Sequence, residues 1–330
     1  MKICIYGAGA VGGHLAARLI TAGHDEVSLV ARGAHLRAIQ QNGLKVFRGE
    51  EIYTGRPLAA TDDPASLPPQ DVVLVTLKAQ ALPGAAAAIE RLLAKDGVAV
   101  FAVNGIPWWW NKGTSNAQEH LECVDPGGEL WSRLKDRSLG CVIYSPNEVI
   151  EPGVIKTAMG DRWVFGEPDS APSPRVDRLV QAFQAANING VAATDLRYDI
   201  WHKLLINCGL NPVAALTRLP TAKMTASPEV RAERCKVMLE VLEVALACGT
   251  DLRGKVDLEE LVAPRKRPGS NTASMLQDVM AGRSLEHDAI LGQVVEFARQ
   301  HNISVPRCEL MLVLLRGLNQ QLMDEAAART

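Results

Sequence analysis

The segment KICIYGAGAVGGHLAARLITAGH, residues 2–24, decides the fold of the N-terminal half of this chain. Its first residues are mostly apolar, as in a buried strand, and closely spaced glycines and then apolar residues at helical spacing follow. We predict a strand over residues 2–6 and a helix over residues 10–22, closed by Gly23. A strand, a glycine turn and a helix in this order begin a βαβ unit, so an α/β domain with a parallel sheet is expected.

The glycines of this turn follow the spacing G-x-G-x-x-G. Gly7 would permit the tight turn, Gly9 would let a pyrophosphate approach the backbone, and Gly12 would let the helix pack closely on the strand. Phosphate would bind the N–H groups that open the helix, those of Ala10 and Val11 among them. Because the pattern follows a strand and begins a helix, it predicts dinucleotide binding; glycines needed only for tight packing are the alternative.

The end of the second predicted strand, VSLVA at residues 27–31, indicates which dinucleotide is bound. Proteins that bind NAD place a carboxylate there, roughly 20 residues past the glycines, to hold the adenosine ribose. This chain instead has Arg32, which could pair with the 2′-phosphate of NADP through two hydrogen bonds. The sequence therefore favours NADP over NAD, with a solvated loop arginine as the alternative.

Two further predicted strands are each followed by a polar residue. DVVLVTL at 71–77 and GVAVFAV at 97–103 are apolar throughout or nearly so, which is typical of parallel strands buried on both faces. Lys78 follows the first strand and Asn104 follows the second. Since open α/β sheets bind ligands at the carboxyl ends of their strands, both side chains are candidate ligand contacts. Either residue could instead anchor its own turn.

The C-terminal part of the chain is helical in pattern from Glu229 onward, and no convincing strand interrupts it. We place a domain boundary near Thr194 and Asp195, because these residues make a good N-cap for the helix that follows. The predicted organisation is a Rossmann-type, doubly wound α/β domain over residues 1–193 and an all-α domain over residues 194–330.

The first helix of the second domain carries a row of polar residues. In WHKLLINCGLNP, residues 201–212, Lys203, Asn207 and Asn211 recur at every fourth position, which stacks them along one face of a helix. The other faces are apolar, so the helix is expected to be enclosed. Enclosed polar groups need partners, which could be other side chains, water or a ligand.

Glu286 and Ser274 are candidate site residues, and the presence of each can also be explained by a purely structural role. Glu286 follows Ser284, a candidate N-cap, and an acidic residue in a first helical turn is favourable without any function. Ser274 is expected in the first turn of a helix after Asn271, where hydroxyl groups often bond the backbone.

Trp108, Trp109 and Trp110 are adjacent in the sequence, shortly after Asn104. Adjacent indoles cannot all point into one core from an extended loop or a helix. We therefore expect at least one of them to face a cleft, a partner subunit or water. Plugging a domain interface is the alternative for two of them.

Composition and length exclude several classes of protein. The 330 residues are enough for about two domains with real cores, and the 35 basic residues nearly balance the 37 acidic ones, so no nucleic acid is expected as a partner. No signal peptide or membrane-spanning segment is recognisable. Seven cysteines without a C-x-x-C pair disfavour zinc sites and a disulfide framework, so we expect no metal and a reducing, cytoplasmic location.

Taken in order, these segments resemble the ketopantoate reductase family, also called 2-dehydropantoate 2-reductase, along most of the chain. The matching segments are GAGAVG, VTLKA, NG at 104–105, WHKLLINCGLNP, SNTASMLQD and RSLEHDAILG. The resemblance implies a Rossmann domain followed by a helical domain, and the NADPH-dependent reduction of a 2-oxo acid, 2-dehydropantoate, for pantothenate synthesis.

The resemblance also implies roles for single residues. Lys203 corresponds to the general acid that protonates the ketone oxygen, and Glu286 to a residue that orients the substrate and the lysine. The implied substrate contacts are Asn104, Asn207, Asn211 and Ser274, and the implied cofactor contacts are Arg32, Lys78 and Asn104.

Two departures from the pattern of the family lie near the substrate. Where many members have N-G-M-G, this chain has N-G-I-P at residues 104–107, and Thr221 stands where a further asparagine is expected. A bulkier or more apolar 2-oxo acid is therefore an alternative substrate, and an NADP-binding sensor without turnover is an alternative of another class. The apolar segment PRCELMLVLLRGL could cover the core or form a contact of a homodimer.

Overall fold

The structure, a computed structural model, describes most of the chain. The described ranges are residues 1–24, 26–114, 120–264 and 272–329. Asn271, which the sequence analysis placed before the helix of Ser274, lies outside them. No helix in these ranges combines the length and apolar character needed to cross a membrane.

The chain forms two compact units. The first comprises Met1–Val103 and Pro107–Leu196, and the second comprises Asn104–Ile106 and Arg197–Thr330. The three-residue segment that begins at Asn104 thus belongs to the second unit, although it follows a strand of the first. The division of the chain near residue 194 stays a prediction about domains; the compact units separate after Leu196.

Strands of the first unit form two sheets. In chain order they are β1 (Ile3–Tyr6), β2 (Val27–Val30), β3 (Leu44–Arg48), β4 (Glu51–Gly55), β5 (Ala59–Thr61), β6 (Gln70–Val75), β7 (Leu93–Phe101), β8 (Ser138–Tyr144), β9 (Asn147–Glu151), β10 (Val154–Thr157), β11 (Arg162–Gly166) and β12 (Gly190–Ala192). The larger sheet has the order β12-β11-β8-β7-β6-β1-β2-β5, and its neighbours are parallel except for β8 and β11. The strand order reverses at β1, so the predicted doubly wound α/β sheet is confirmed.

Helices of the first unit are α1 (Ala10–Thr21), α2 (Gly33–Asn42), α3 (Leu82–Leu92), α4 (Glu129–Leu134) and α5 (Pro174–Ala185). Leu15 and Leu19 of α1 are fully buried, as are Ile5 of β1 and Leu29 of β2. This core explains why the opening segment folds as the sequence predicts: a strand apolar on both faces and a helix with an apolar stripe bury each other. Gly23, with φ +89°, follows the end of α1.

The smaller sheet, with the order β4-β3-β10-β9, is not foreseen in the sequence analysis. Its central pair, β3 and β10, is parallel and joins segments more than 100 residues apart, with Val46 opposite Ile155. Both side chains are fully buried. The four strands are only four or five residues long, and their pairing depends on a partner that local periodicity does not reveal.

The three adjacent tryptophans of the first unit are all buried, with 4% or less of each residue exposed. Trp108 packs edge-on against Phe101, with ring centroids 5.2 Å apart, and Trp109 lies against Gly140. The expectation that one indole would face a cleft, a partner or water is therefore not met. The reason is that residues 107–113 form successive turns, and a chain that reverses direction can aim adjacent side chains inward.

All regular secondary structure described in the second unit is helical, as predicted. Its helices are α6 (Leu196–Thr217), whose first residue still belongs to the first unit, α7 (Thr221–Ala226), α8 (Pro228–Ala247), α9 (Leu258–Val262), α10 (Ser274–Met280), a π-helix (Asp288–Gly292), α11 (Gln293–Gln300) and α12 (Pro306–Ala327). Thr221, the departure from the family pattern, is the first residue of α7.

The last helix, α12, has two apolar faces. Leu312 and Leu315 are buried, so one face covers the core of the second unit. Leu310, Val313 and Leu314 are 49–64% exposed and form a stripe at helical spacing. A homodimer contact on that stripe stays a prediction.

Candidate active site

The glycine turn, Arg32 and Lys78 lie at one edge of the large sheet. β2 and β6 both pair in parallel with β1, so the carboxyl ends of these three strands are neighbours. Gly7 directly follows β1. Arg32 follows β2 as the exposed N-cap residue of α2, and Lys78, half-buried, caps the short 3-10 helix after β6. This edge is where open α/β sheets bind their ligands.

Each glycine of the turn meets a different steric condition. Gly7 has φ +103°, a conformation that side chains rarely tolerate. A methyl group on Gly12 would lie 2.5 Å from the carbonyl oxygen of Gly7 and 2.7 Å from Cγ2 of Ile5, so helix and strand pack too closely for any side chain. A methyl group on Gly9 would meet no atom within 4 Å. Protein packing therefore does not demand the second glycine, whereas close approach by a ligand would.

The N-terminus of α1 suits an anion. The N–H of Gly13 bonds the carbonyl of Gly9, so the N–H groups of Ala10, Val11 and Gly12 precede the first bonded turn. Among the described residues, no side chain caps this turn, and it contains no acidic residue. N–H groups and the positive end of the helix dipole are a binding site for phosphate. The residues present thus fit the pyrophosphate of a dinucleotide.

The glycines give a prediction with an internal control. Gly12→Ala should lower the free energy of unfolding by about 1–3 kcal/mol, because the added methyl group overlaps backbone. Gly9→Ala should change stability by less than about 0.5 kcal/mol but weaken dinucleotide binding clearly. Thermal denaturation of both variants and a fluorescence titration with NADPH measure the two effects. Unchanged NADPH binding by Gly9→Ala would contradict a pyrophosphate at this turn.

Two hydrogen-bonding residues of the first unit, of which Thr76 supports the turn, are missing from the sequence analysis. The hydroxyl of Thr76 donates to the carbonyl of Gly7 at 2.6 Å and so holds the turn against the end of β6. Nδ1 of His35 accepts from the N–H of Gly153 at 3.0 Å, and burial lowers the pKa of this imidazole. Thr76 could have been noticed as the polar residue that ends an apolar strand. The partner of His35 is 118 residues away, and no local signal announces it.

In the second unit, helix α6 carries the predicted row of polar residues. Asn207 and Asn211 are buried, at 6% and 2% exposed, and Lys203 is partly buried. Burial lowers the pKa of the Lys203 ammonium from 10.5 to about 8. An amine with this pKa can hold and release a proton near neutral pH, which a solvated lysine cannot do.

Asn104 contacts this row within the second unit. Nδ2 of Asn207 donates to Oδ1 of Asn104 at 3.3 Å. Asn104, like Lys78, follows a strand of the first unit, but it belongs to the unit that contains α6. An amide on the helix that bears the lysine thus meets an amide that lies 103 residues away in the sequence.

Ser274 lies in the first turn of its helix, as its structural alternative requires, whereas Glu286 lies just before a helix. Glu286 precedes the helical residues His287–Gly292, and its carbonyl oxygen accepts from the N–H of Ile290, so it lies at the start of that helix and not within its first turn. Glu286 is 5% exposed. A buried carboxylate is costly unless it is paired, which separates it from a solvated first-turn acid. Ser274 is the first residue of α10 and is partly buried.

The first unit has a doubly wound sheet with a glycine turn, and the second is helical with a lysine in a polar row. This combination is typical of a Rossmann-type oxidoreductase with a helical second domain. Residues 3–170 match the sequence model described as ketopantoate reductase PanE/ApbA, and residues 195–319 match its C-terminal counterpart. A 2-dehydropantoate 2-reductase from Mesorhizobium japonicum is 38% identical over 96% of this chain and 98% of its own length. The chain belongs to the ketopantoate reductase family.

Solved structures agree with this fold. A protein from Ralstonia solanacearum assigned to the ketopantoate reductases has a TM-score of 0.88 at 34% identity, covering 97% of this chain and 98% of its own. D-mandelate dehydrogenase with NADH and anilino(oxo)acetate has a TM-score of 0.82 at 17% identity, with 98% and 99% covered. At that identity the second likeness concerns the fold alone. The family membership supports a nicotinamide cofactor.

Proposed function

We propose that this protein reduces the ketone of a 2-oxo acid with NADPH, that 2-dehydropantoate is the preferred substrate, and that Lys203 donates the proton. The observation that carries the proposal is the partly buried amine of Lys203, with its pKa lowered to about 8, on the helix face that also bears two buried asparagines. Relatives named 2-dehydropantoate 2-reductase support the choice of substrate.

The mechanism follows from the charge that the reaction creates. When bound, NADPH supplies a hydride to the carbonyl carbon, and the C=O π bond opens onto oxygen. The ammonium of Lys203 stabilises the negative charge on that oxygen and transfers a proton to it, which gives the 2-hydroxy acid and NADP⁺ and leaves a neutral amine. Water then returns a proton to Lys203. A lowered pKa makes this transfer easier than it would be from a solvated lysine.

The other polar residues of the second unit orient the substrate. The amides of Asn104 and Asn207 are already paired, and amide groups can both donate to a carboxylate or ketone and accept from a hydroxyl. Ser274 would contribute a hydroxyl to the substrate carboxylate, and Glu286 would orient the substrate and Lys203. Because Asn207 and Asn211 are nearly fully buried, substrate atoms that reach them are shielded from water.

The choice of NADPH over NADH rests on Arg32. Its guanidinium is exposed at the N-terminus of α2, at the end of β2, where a carboxylate would favour NAD. Lys78 at the end of the neighbouring β6 adds a second positive charge at the same sheet edge. We also propose a cytoplasmic location, consistent with seven unbridged cysteines, of which five are buried.

Of the two arguments for a bulkier 2-oxo acid as the substrate, the structure removes one and leaves the other. An indole facing a cleft could have covered a bulkier substrate, but Trp108, Trp109 and Trp110 are all buried. The replacement of an expected asparagine by Thr221 remains. We therefore keep 2-dehydropantoate as the proposed substrate and test it against bulkier acids.

The test is NADPH consumption, followed by absorbance, with purified protein and a panel of 2-oxo acids that includes 2-dehydropantoate and phenylglyoxylate. We expect 2-dehydropantoate to have the highest kcat/KM. A clear preference for phenylglyoxylate would keep the chemistry and replace the substrate. Tight NADPH binding without turnover of any acid would favour the sensor and contradict the proposed reduction.

A further inference from the structure

The π-helix Asp288–Gly292 begins two residues after Glu286 and changes the hydrogen bonding of the second unit. In an α-helix, the N–H of Gln293 would bond the carbonyl of Ala289, four residues back. Here it bonds the carbonyl of Asp288, five residues back. The carbonyl of Ala289 is thereby released from that partner.

The released carbonyl holds the segment that carries Asn104. The N–H of Ile106 donates to the carbonyl oxygen of Ala289 at 3.0 Å. Gly105, with φ +91°, lies directly against this turn, and a methyl group there would stand 2.6 Å from the carbonyl carbon of Ala289 and 2.8 Å from its Cβ, besides touching its oxygen. Only glycine permits this approach of two backbones.

The next carbonyl of the π-helix holds α6. The thiol of Cys208 donates to the carbonyl oxygen of Ile290 at 3.3 Å, and both residues are buried. Cys208 is adjacent to Asn207, whose amide donates to Asn104. Two consecutive carbonyls of one π turn therefore hold the two chain segments whose asparagines meet.

We propose that this π turn is the positioning element for the Asn104–Asn207 pair, and that Gly105 and Cys208 are positioning residues for substrate binding. The inference rests on the proposed function for its kinetic consequence, but the anchoring itself can be measured without turnover. A π turn suits this task because it exposes backbone acceptors inside an apolar core, where each hydrogen bond is strong and a lost one is costly.

The first experiment is Gly105→Ala, with Gly317→Ala as the matched control. Gly317 lies in α12 of the same unit, and a methyl group there meets nothing within 4 Å. We expect Gly105→Ala to lower kcat/KM for the 2-oxo acid by on the order of 100-fold, because misplaced contacts cost that much, while the Kd for NADPH changes far less, since the glycine turn and Arg32 are untouched. Gly317→Ala should change neither quantity.

The second experiment compares Cys208→Ala with Cys208→Ser. In the alanine variant, the KM for the 2-oxo acid should rise by up to about tenfold, which corresponds to the loss of one hydrogen bond. The serine variant should keep a KM near the wild-type value, because its hydroxyl can donate to the carbonyl of Ile290. A merely structural role of the thiol would make the two variants alike. Equal kinetics for both would overturn the role of Cys208.

Hydrogen exchange of the Ile106 amide separates this inference from the proposed function. In the wild-type protein, with or without turnover, the amide should exchange slowly, and in Gly105→Ala it should exchange fast. If no 2-oxo acid is reduced but this difference appears, the proposed function fails and the anchoring stands. If the amide exchanges equally fast in both proteins, the anchoring is wrong whatever the activity.

Discussion

Lys203→Ala is expected to lower kcat for 2-oxo acid reduction by about 100- to 10,000-fold, the usual contribution of a positioned general acid. Burial lowers the pKa of this amine to about 8, so it is matched to its task at neutral pH, and alanine can neither donate a proton nor stabilise the oxyanion. The proposed dinucleotide contacts other than Asn104 lie in the first unit, so the Kd for NADPH should be nearly unchanged. Steady-state kinetics and an NADPH titration measure the two quantities.

The pH profile separates a chemical role of Lys203 from a structural one. Because the pKa is lowered to about 8, the protonated donor predominates below that pH and is lost above it. For the wild-type protein, kcat/KM for reduction should fall as the pH rises through about 8, whereas oxidation of the 2-hydroxy acid should rise. The alanine variant should lack this dependence. Exposed Lys223 provides the control, since Lys223→Ala should keep both the rate and the profile.

A different result would show that Lys203 has a structural role. If Lys203→Ala lost NADPH binding, thermal stability and kcat together, the side chain would be a structural element of α6 and not the proton donor. A pH profile that persisted unchanged in the variant would likewise assign the titration to another group.

Arg32→Asp is expected to lower the preference for NADPH over NADH by on the order of 10- to 100-fold. The substitution would remove the proposed charge-assisted pair of hydrogen bonds to the 2′-phosphate and place a carboxylate where NAD-binding proteins use one for the ribose. Binding of NADH should therefore be unchanged or stronger. Kd values for both dinucleotides, measured by titration at one ionic strength, give the ratio.

The control for Arg32 is Arg37→Asp. Arg37 is an exposed arginine on the same helix, α2, so its substitution changes the net charge equally without touching the strand end. It should leave the NADPH/NADH ratio nearly constant. If both variants shifted the ratio alike, a general electrostatic effect would explain the preference, and Arg32 would have no specific contact with the phosphate.

Much of the fold was predictable because its signals are local. The strand, glycine turn and helix of residues 2–24 are coded by the spacing of apolar residues and glycines, and the structure shows them as β1 and α1. The buried strands β6 and β7 follow from apolar runs, although both begin and end somewhat before the predicted limits. The small sheet was not predictable, because β3 and β10 are short and pair across about 100 residues of sequence.

The candidate site was predictable as a set of residues but not as an arrangement. Spacing alone placed Lys203, Asn207 and Asn211 on one helix face. It could not reveal that Asn207 would meet Asn104, since that contact joins distant segments through a π turn. It also predicted an outward indole among Trp108–Trp110, which successive turns in the backbone prevent.

Local sequence patterns are enough to predict the order of elements, the glycine turn and the helix after it, the arginine at the end of β2 and the polar row of α6. These depend on the 3.6-residue period of the helix, the alternation of strands and the conformations open to glycine, all of which act over a few residues. Three properties depend on the tertiary fold: which side chains are buried, which amides pair and how far burial lowers the pKa of Lys203. Burial, pairing and desolvation depend on atoms that remote parts of the chain bring close, and local patterning carries no record of them.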